Sequence, residues 1–254
     1  MVQDKTLYKS LNNVEQSNLD KTSNRKIYFG HQSVGNNIIS GLQKIVGRTR
    51  NVTLNIIETD RPSDFSAPIF AHSKVGRNTD PLSKINSFTK NIEGGIGGKA
   101  DIALFKFCYI DINSATDVQL IFNKYRSALT RLQQLYPQTK FIHSTVPLKT
   151  VTGIKVSLKR LAKKIMGKPE NSYGDNNNRN KLNDLIRKEY AVKNNLFDLA
   201  SFESTFTDGR RALYQSEGRS FEMLVPEYTN DGGHLNEKGQ QIIAEQFLIF
   251  LSGL

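Results

Sequence analysis

Two short segments near opposite ends of the chain hold the residue types of nucleophilic acyl transfer. Gly30-His31-Gln32-Ser33-Val34-Gly35 follows the apolar run Lys26-Ile27-Tyr28-Phe29, and Asp231-Gly232-Gly233-His234-Leu235 precedes the last helix-like run. A serine hydroxyl is a poor nucleophile near neutral pH, so it needs a base for its proton and donors for the developing oxyanion. His234 can be that base. Asp231, three residues earlier, can reach back and fix the imidazole tautomer. The wide sequence separation between Ser33 and His234 is no obstacle, because such a triad is defined by geometry and role. At a helix start, Ser33 would also offer its own N–H and the positive end of the helix dipole.

The elements that must bring these groups together follow from hydrophobic periodicity. Residues 25–29 read as a buried strand, and Val34, Ile38, Ile39, Leu42, Ile45 and Val46 repeat at helical spacing behind the Ser33 turn. Residues 52–58 read as a second strand and 61–80 as irregular. Pro81 opens a helix with Leu82, Ile85, Phe88 and Ile92 on its apolar face. Residues 101–112 are the strongest strand signal, nearly continuous in apolar character as in a sheet covered on both faces. Residues 118–136 and 180–193 read as helices, and 140–148 and 196–199 as strands. Asn236 caps a final helix carrying Ile242, Ile243, Phe247, Leu248 and Leu251. Alternating strands and helices predict an α/β architecture, a mostly parallel sheet with helices on both faces. Ligands of such sheets bind beyond the carboxyl ends of the strands, where Ser33 and the 231–234 loop should lie.

A length of 254 residues suits one α/β domain. Residues 1–24 form a polar N-terminal extension, residues 25–254 the domain, and residues 150–178 a basic insertion. The insertion carries Lys155, Lys159, Arg160, Lys163, Lys164 and Lys168 with no acid before Glu170. Its first part reads as an amphipathic basic helix, either a solvated face or a surface for an anionic polymer. Residues 173–178 read as a flexible loop. The net charge of +11 favours acidic partners in general. No zinc-finger, helix-turn-helix or aromatic RNA-binding pattern indicates specific nucleic-acid recognition. No apolar stretch reaches the roughly 18 residues of a membrane span, and the first 24 residues lack a signal core. The reading is a soluble chain whose compartment is undecided, with secretion after removal of a leader left open. A single cysteine, Cys108, excludes an intrachain disulfide and reads as a buried small hydrophobe. His143, within an apolar strand, reads as a core histidine. No spacing of His, Cys and acids suggests a metal site.

With its nucleophile turn and Asp-x-x-His block, the chain resembles the SGNH (GDSL-like) hydrolase superfamily, in order from about residue 26 to 251. Gly30-His31-Gln32-Ser33 stands in place of the usual Gly-Asp-Ser, whereas Asp231-Gly232-Gly233-His234-Leu235 matches the last block well. The resemblance implies a flavodoxin-like three-layer α/β/α sandwich and hydrolysis of an ester, often an O-acyl group on a carbohydrate or lipid. It assigns Ser33 as nucleophile, His234 as base and Asp231 as orienting acid, and implies no metal or organic cofactor. It also implies an oxyanion hole of the Ser33 N–H, a glycine that corresponds to Gly76, and an asparagine. The usual Gly-x-Asn-Asp turn reads Cys108-Tyr109-Ile110-Asp111 here. Ile110 cannot donate, which leaves Asn78 as the replacement or a hole of backbone donors only. Loss of one such donor typically costs about 100- to 1000-fold in rate. Asp111 reads as a brace for its loop. His31, Gln32 and Tyr109 are carried as candidate substrate contacts, with local bracing of the turn the better role for His31 and Gln32.

The function expected is therefore a serine esterase removing an O-acyl group, an O-acetyl on a carbohydrate, with an acylated small molecule or glycan as partner. The alternatives are an O-acyltransferase of the same fold and a catalytically inactive glycan-binding relative.

Overall fold

The computed structural model describes residues 7–49, 52–151 and 172–254. Lys155 to Lys168 of the basic insertion lie outside the described residues. Six strands form a parallel sheet: β1 Lys26–His31, β2 Ile56–Glu58, β3 Ile69–Lys74, β4 Ile102–Phe105, β5 Lys140–Ser144 and β6 Leu196–Phe197, in the order β2-β3-β1-β4-β5-β6. Every pairing is parallel. Helices cover both faces: α1 Gln16–Ser23, α2 Ser33–Arg48, α3 Pro81–Asn91, α4 Val118–Leu135, α5 Ser172–Tyr190, α6 Leu199–Glu203 and α7 Glu237–Ser252. An antiparallel hairpin, β7 Leu213–Ser216 with β8 Arg219–Glu222, had no counterpart in the sequence pattern.

Successive side chains of a strand point to opposite faces, so the central strands divide their apolar residues between two cores. Ile27 and Phe29 of β1 and Ile102 and Leu104 of β4 meet α2 and α7 through Val34, Ile38, Leu42, Ile243, Phe247 and Leu251. Tyr28, Ala103 and Phe105 face the other way, toward Ile85 and Phe88 of α3 and Tyr125 and Leu129 of α4. Three layers result, as the strand–helix alternation predicts.

Four local expectations need correction. The stretch read as irregular contains β3, a central strand. Its apolar run stops after Ile69-Phe70-Ala71 because the next two residues are polar. Both are buried and paired inside: His72 Nδ1 lies 3.0 Å from His31 Nε2, and Ser73 Oγ lies 2.7 Å from the Tyr28 hydroxyl. The strand expected over 101–112 ends at Phe105, because the Asp111 carboxylate accepts the Cys108 N–H at 2.6 Å and turns the chain. The strand expected over 52–58 is confined to Ile56–Glu58. Residues 173–178, read as flexible, open α5. Their asparagines do not compete for the helix backbone. Asn176 bonds Lys149 N and O, Asn177 bonds Ser216 Oγ, and Asn178 bonds Asn113 O.

Residues 7–24 lie against the domain. The Tyr8 hydroxyl donates to Phe202 O at 2.6 Å, and Lys9 N and O pair with the Gln246 side chain of α7. Asn236 caps α7 as expected, accepting the Gly239 N–H at 3.0 Å.

Candidate active site

The connections leave the adjacent strands β1 and β4 in opposite directions, β1 toward β2 and β4 toward β5, and a crevice opens at such a switch point. Ser33 is the first residue of α2, directly beyond β1. Gln32 before it is extended, and its side-chain NH2 donates to Val75 O at 3.0 Å and Gly76 O at 2.9 Å. Gln32 therefore ties the turn at Ser33 to the loop after β3. His31, carried as a substrate contact, is fully buried beneath the turn. Its Nδ1 faces Gln32 O at 3.0 Å and so carries the proton, which leaves Nε2 to accept from His72. Burial pushes His31 down to about 3, so the ring is neutral. It braces the turn from below.

The second segment arrives on the loop before α7. His234 Nδ1 lies 2.6 Å from Asp231 Oδ2, and His234 Nε2 lies 3.0 Å from Ser33 Oγ. The carboxylate fixes the proton on Nδ1 and leaves Nε2 to accept from the serine hydroxyl. Asp231 Oδ1 also accepts the N–H groups of Gly233 at 2.9 Å and His234 at 2.8 Å. Burial alone would raise this carboxyl, but these hydrogen bonds outweigh it and hold it at about 2. Asn37 of α2 accepts the Leu235 N–H at 3.1 Å, and Gly232 O accepts the Thr150 N–H at 3.0 Å. The loop is thereby fastened to the helix that bears the serine.

The loop after β3 flanks Ser33. Gly76 has φ +59°, and a Cβ there would lie 2.5 Å from Lys84 N, so both conformation and space demand glycine. Neither the Ser33 N–H nor the Gly76 N–H has a hydrogen-bond partner among the described residues. Asn78 Oδ1 accepts from Lys84 Nζ at 3.1 Å, which leaves its amide NH2 as the outward end. Ile110, where the hydrolase pattern has asparagine, is 41% exposed. Asp111 braces its loop as expected, holding Thr79 N–H at 3.0 Å as well as Cys108 N–H.

The profile of the GDSL-like Lipase/Acylhydrolase family matches residues 13–247. The chain belongs to this family. No curated protein matches the sequence. Among solved structures, a candidate platelet activating factor from Streptococcus pneumonia is 16% identical, covering 95% of this chain and 94% of that one, with a TM-score of 0.51. A candidate GDSL-like lipase from Parabacteroides merdae is 13% identical over 89% and 94%, with a TM-score of 0.49. The periplasmic domain of a lipopolysaccharide acetyltransferase from Salmonella ser. Paratyphi A is 11% identical over 87% and 81%, with a TM-score of 0.46.

As a GDSL-family acylhydrolase the chain acts on an ester, and no helix among its described residues is long and apolar enough to cross a membrane. Several residues around the site of this GDSL-family chain escaped the sequence reading. Lys84 is a lysine on the inner face of a helix whose apolar spacing is complete without it. Asn37 lies on α2 one position before the apolar Ile38. Arg179, buried in α5, donates to Tyr109 O at 2.7 Å. Glu203, buried in α6, accepts the Leu148 N–H at 2.7 Å, and burial pushes its carboxyl up to about 8. Only the tertiary contacts distinguish these from ordinary surface polar residues. His143 and Cys108 are buried as expected, with His143 Nδ1 2.8 Å from the Tyr125 hydroxyl.

Proposed function

We propose that this chain hydrolyses an O-acyl ester, an O-acetyl group on a carbohydrate, through a covalent acyl-Ser33 intermediate. The observation that carries the reading is the unbroken hydrogen-bonded chain from Asp231 Oδ2 through the His234 imidazole to Ser33 Oγ, at 2.6 and 3.0 Å. Ser33 Oγ forms a bond to the ester carbonyl carbon while its proton passes to His234 Nε2, and the carbonyl π pair moves onto oxygen. The proposed oxyanion donors are the Ser33 and Gly76 N–H groups, with the Asn78 amide as a third. Collapse re-forms the carbonyl and breaks the bond to the alcohol oxygen, which takes the proton from His234. Water then attacks the acyl-serine with His234 again as base, releasing the carboxylic acid. Asp231 stays ionised throughout and stabilises the transient imidazolium. The net charge of +11 supports an acidic glycan as the carrier of the acetyl group.

The test is a fluorophosphonate probe with mass-spectrometric mapping of the adduct, run beside acetate release from an O-acetylated polysaccharide. Adduct at Ser33 and acetate release, both absent in Ser33→Ala, are expected. No adduct would make the chain a binding relative. Acetyl transfer to an added sugar in preference to water would make it a transferase. Preference for long-chain acyl esters would remove the acetyl assignment.

A further inference from the structure

Tyr109, a candidate substrate contact, meets the imidazole of His234. Its hydroxyl oxygen lies 3.4 Å from His234 Nδ1 and 3.4 Å from Nε2. The in-plane direction of each nitrogen is already taken, by Asp231 Oδ2 at 2.6 Å and Ser33 Oγ at 3.0 Å. An oxygen equally far from both nitrogens is in line with neither lone pair, so it makes no ordinary hydrogen bond to the ring. The two ring planes meet at 74° with centroids 5.4 Å apart, an edge-to-face arrangement.

We propose that Tyr109 is a positioning residue for His234: its hydroxyl oxygen caps the imidazole face, holds the ring in line between Asp231 and Ser33, and steadies the imidazolium formed as Ser33 is deprotonated. The inference rests on the function proposed above.

Tyr109 is anchored well enough for this. It opens the short turn Tyr109–Asp111, closed by the Asp111 carboxylate on the Cys108 N–H at 2.6 Å. Its carbonyl accepts from Arg179 Nε at 2.7 Å, and Arg179 Nη1 in turn donates to Asn176 Oδ1 at 3.0 Å. On the opposite side the ring rests on Gly233, where a Cβ would lie 2.7 Å from Tyr109 Cζ and 3.0 Å from its oxygen. Glycine one residue before His234 is what admits the phenol to this position.

The chemistry follows from a hydroxyl that can rotate. Over a neutral imidazole the O–H can point at the ring face. Over an imidazolium the lone pairs can, and the partial negative charge of oxygen then favours the charged ring. The groups facing the imidazole are Asp231 from its own loop, Ser33 from α2 and Tyr109 from the loop after β4. Lys149 Nζ and Arg179 Cζ lie over the Tyr109 ring, 5.6 and 5.9 Å from its centroid.

The test is Tyr109→Phe in the full chain, assayed on an acetyl ester across pH and by fluorophosphonate labelling. Phenylalanine keeps the ring on Gly233 and removes only the oxygen, so the thermal midpoint should hold. A fall of about 5-fold in kcat is expected for one lost polar contact, with KM unchanged and labelling slowed in proportion. The acidic limb of the kcat/KM profile, which reports deprotonation of the base in the free enzyme, should move to lower pH. Tyr109→Ala should lose more, and Phe should rescue the part due to packing but not the displaced limb. A rise in KM alone would make Tyr109 a substrate contact and overturn the proposal. So would a fall in kcat with the limb in place, or wild-type behaviour throughout. Normal labelling of wild-type Ser33 beside an unaltered Tyr109→Phe would remove this proposal only, whereas no labelling of wild-type Ser33 would remove the function reading and this one with it.

Discussion

Lys84 Nζ lies 2.5 Å from Asp111 Oδ2, and both side chains are fully buried. The pair joins α3 to the loop after β4. The same ammonium holds Asn78 Oδ1, and the same carboxylate holds the N–H groups of Thr79 and Cys108. One ion pair therefore fastens both loops that flank Ser33. Removing one partner leaves a buried charge uncompensated, so Lys84→Ala or Asp111→Ala should cost about 3–5 kcal/mol in urea unfolding. The double replacement Lys84→Met with Asp111→Leu should recover much of that stability. Esterase activity should stay low in the double variant, because Asn78 and Thr79 have lost their anchor.

Ser33 and Asp231 should separate chemistry from folding. Ser33→Ala is expected to abolish hydrolysis of an activated acetyl ester, and Asp231→Asn to lower kcat by roughly 10,000-fold through loss of the correct tautomer. Both variants should keep the wild-type circular dichroism spectrum, since Ser33→Ala removes only a hydroxyl and Asp231→Asn keeps an oxygen to accept the Gly233 and His234 N–H groups. Activity retained in Ser33→Ala would dismiss it as nucleophile.

The pH dependence of stability has a component from Asp231. Its carboxyl is held at about 2 in the fold, below its ordinary 3.8. The ionised form therefore stabilises the fold above about pH 4, and that contribution is lost as pH falls through about 2. The side chain is 55% exposed, so solvent screens the effect and keeps it small. Urea midpoints between pH 2 and 5 should fall less steeply with acid in Asp231→Asn than in wild type. Because Asp231 is ionised across the neutral range, an acidic limb of activity above pH 5 belongs to another group.

Gly76→Ala joins strain to function. At φ +59° an L side chain is disfavoured, and the new Cβ would press on the backbone of Lys84 at 2.5 Å. A loss of roughly 1–3 kcal/mol is expected from the backbone strain, with a fall in kcat beyond it as the N–H moves away from the developing oxyanion. Equal kcat in the folded fraction of Gly76→Ala and wild type would exclude this N–H as a donor.

The alternation of strands and helices was readable because both faces of the sheet are covered: β1 and β4 are apolar on both sides, and α2, α3, α4 and α7 carry one apolar stripe each. β3 was not readable, although it is central, because His72 and Ser73 end its apolar run and are satisfied by His31 and Tyr28 from another strand. Periodicity registers what a residue avoids, namely water, and is blind to a polar group whose partner lies across the sheet. The start of α5 was missed for the same reason, its asparagines being tied to Lys149, Ser216 and Asn113.

Of the site, the sequence by itself determined the residue types, their placement at strand ends, and the Asp231–His234 pair, whose three-residue spacing lets a short loop close on itself. Only the tertiary structure decided that Ser33, 201 positions away from His234, meets its ring, that His31 lies beneath the turn and that Tyr109 stands over the imidazole. Local spacing controls what a single turn can hold. Contacts between distant segments depend on how α2 and α7 pack and where the loops after β3 and β4 are pinned, which buried pairs such as Lys84 and Asp111 settle and no periodicity records.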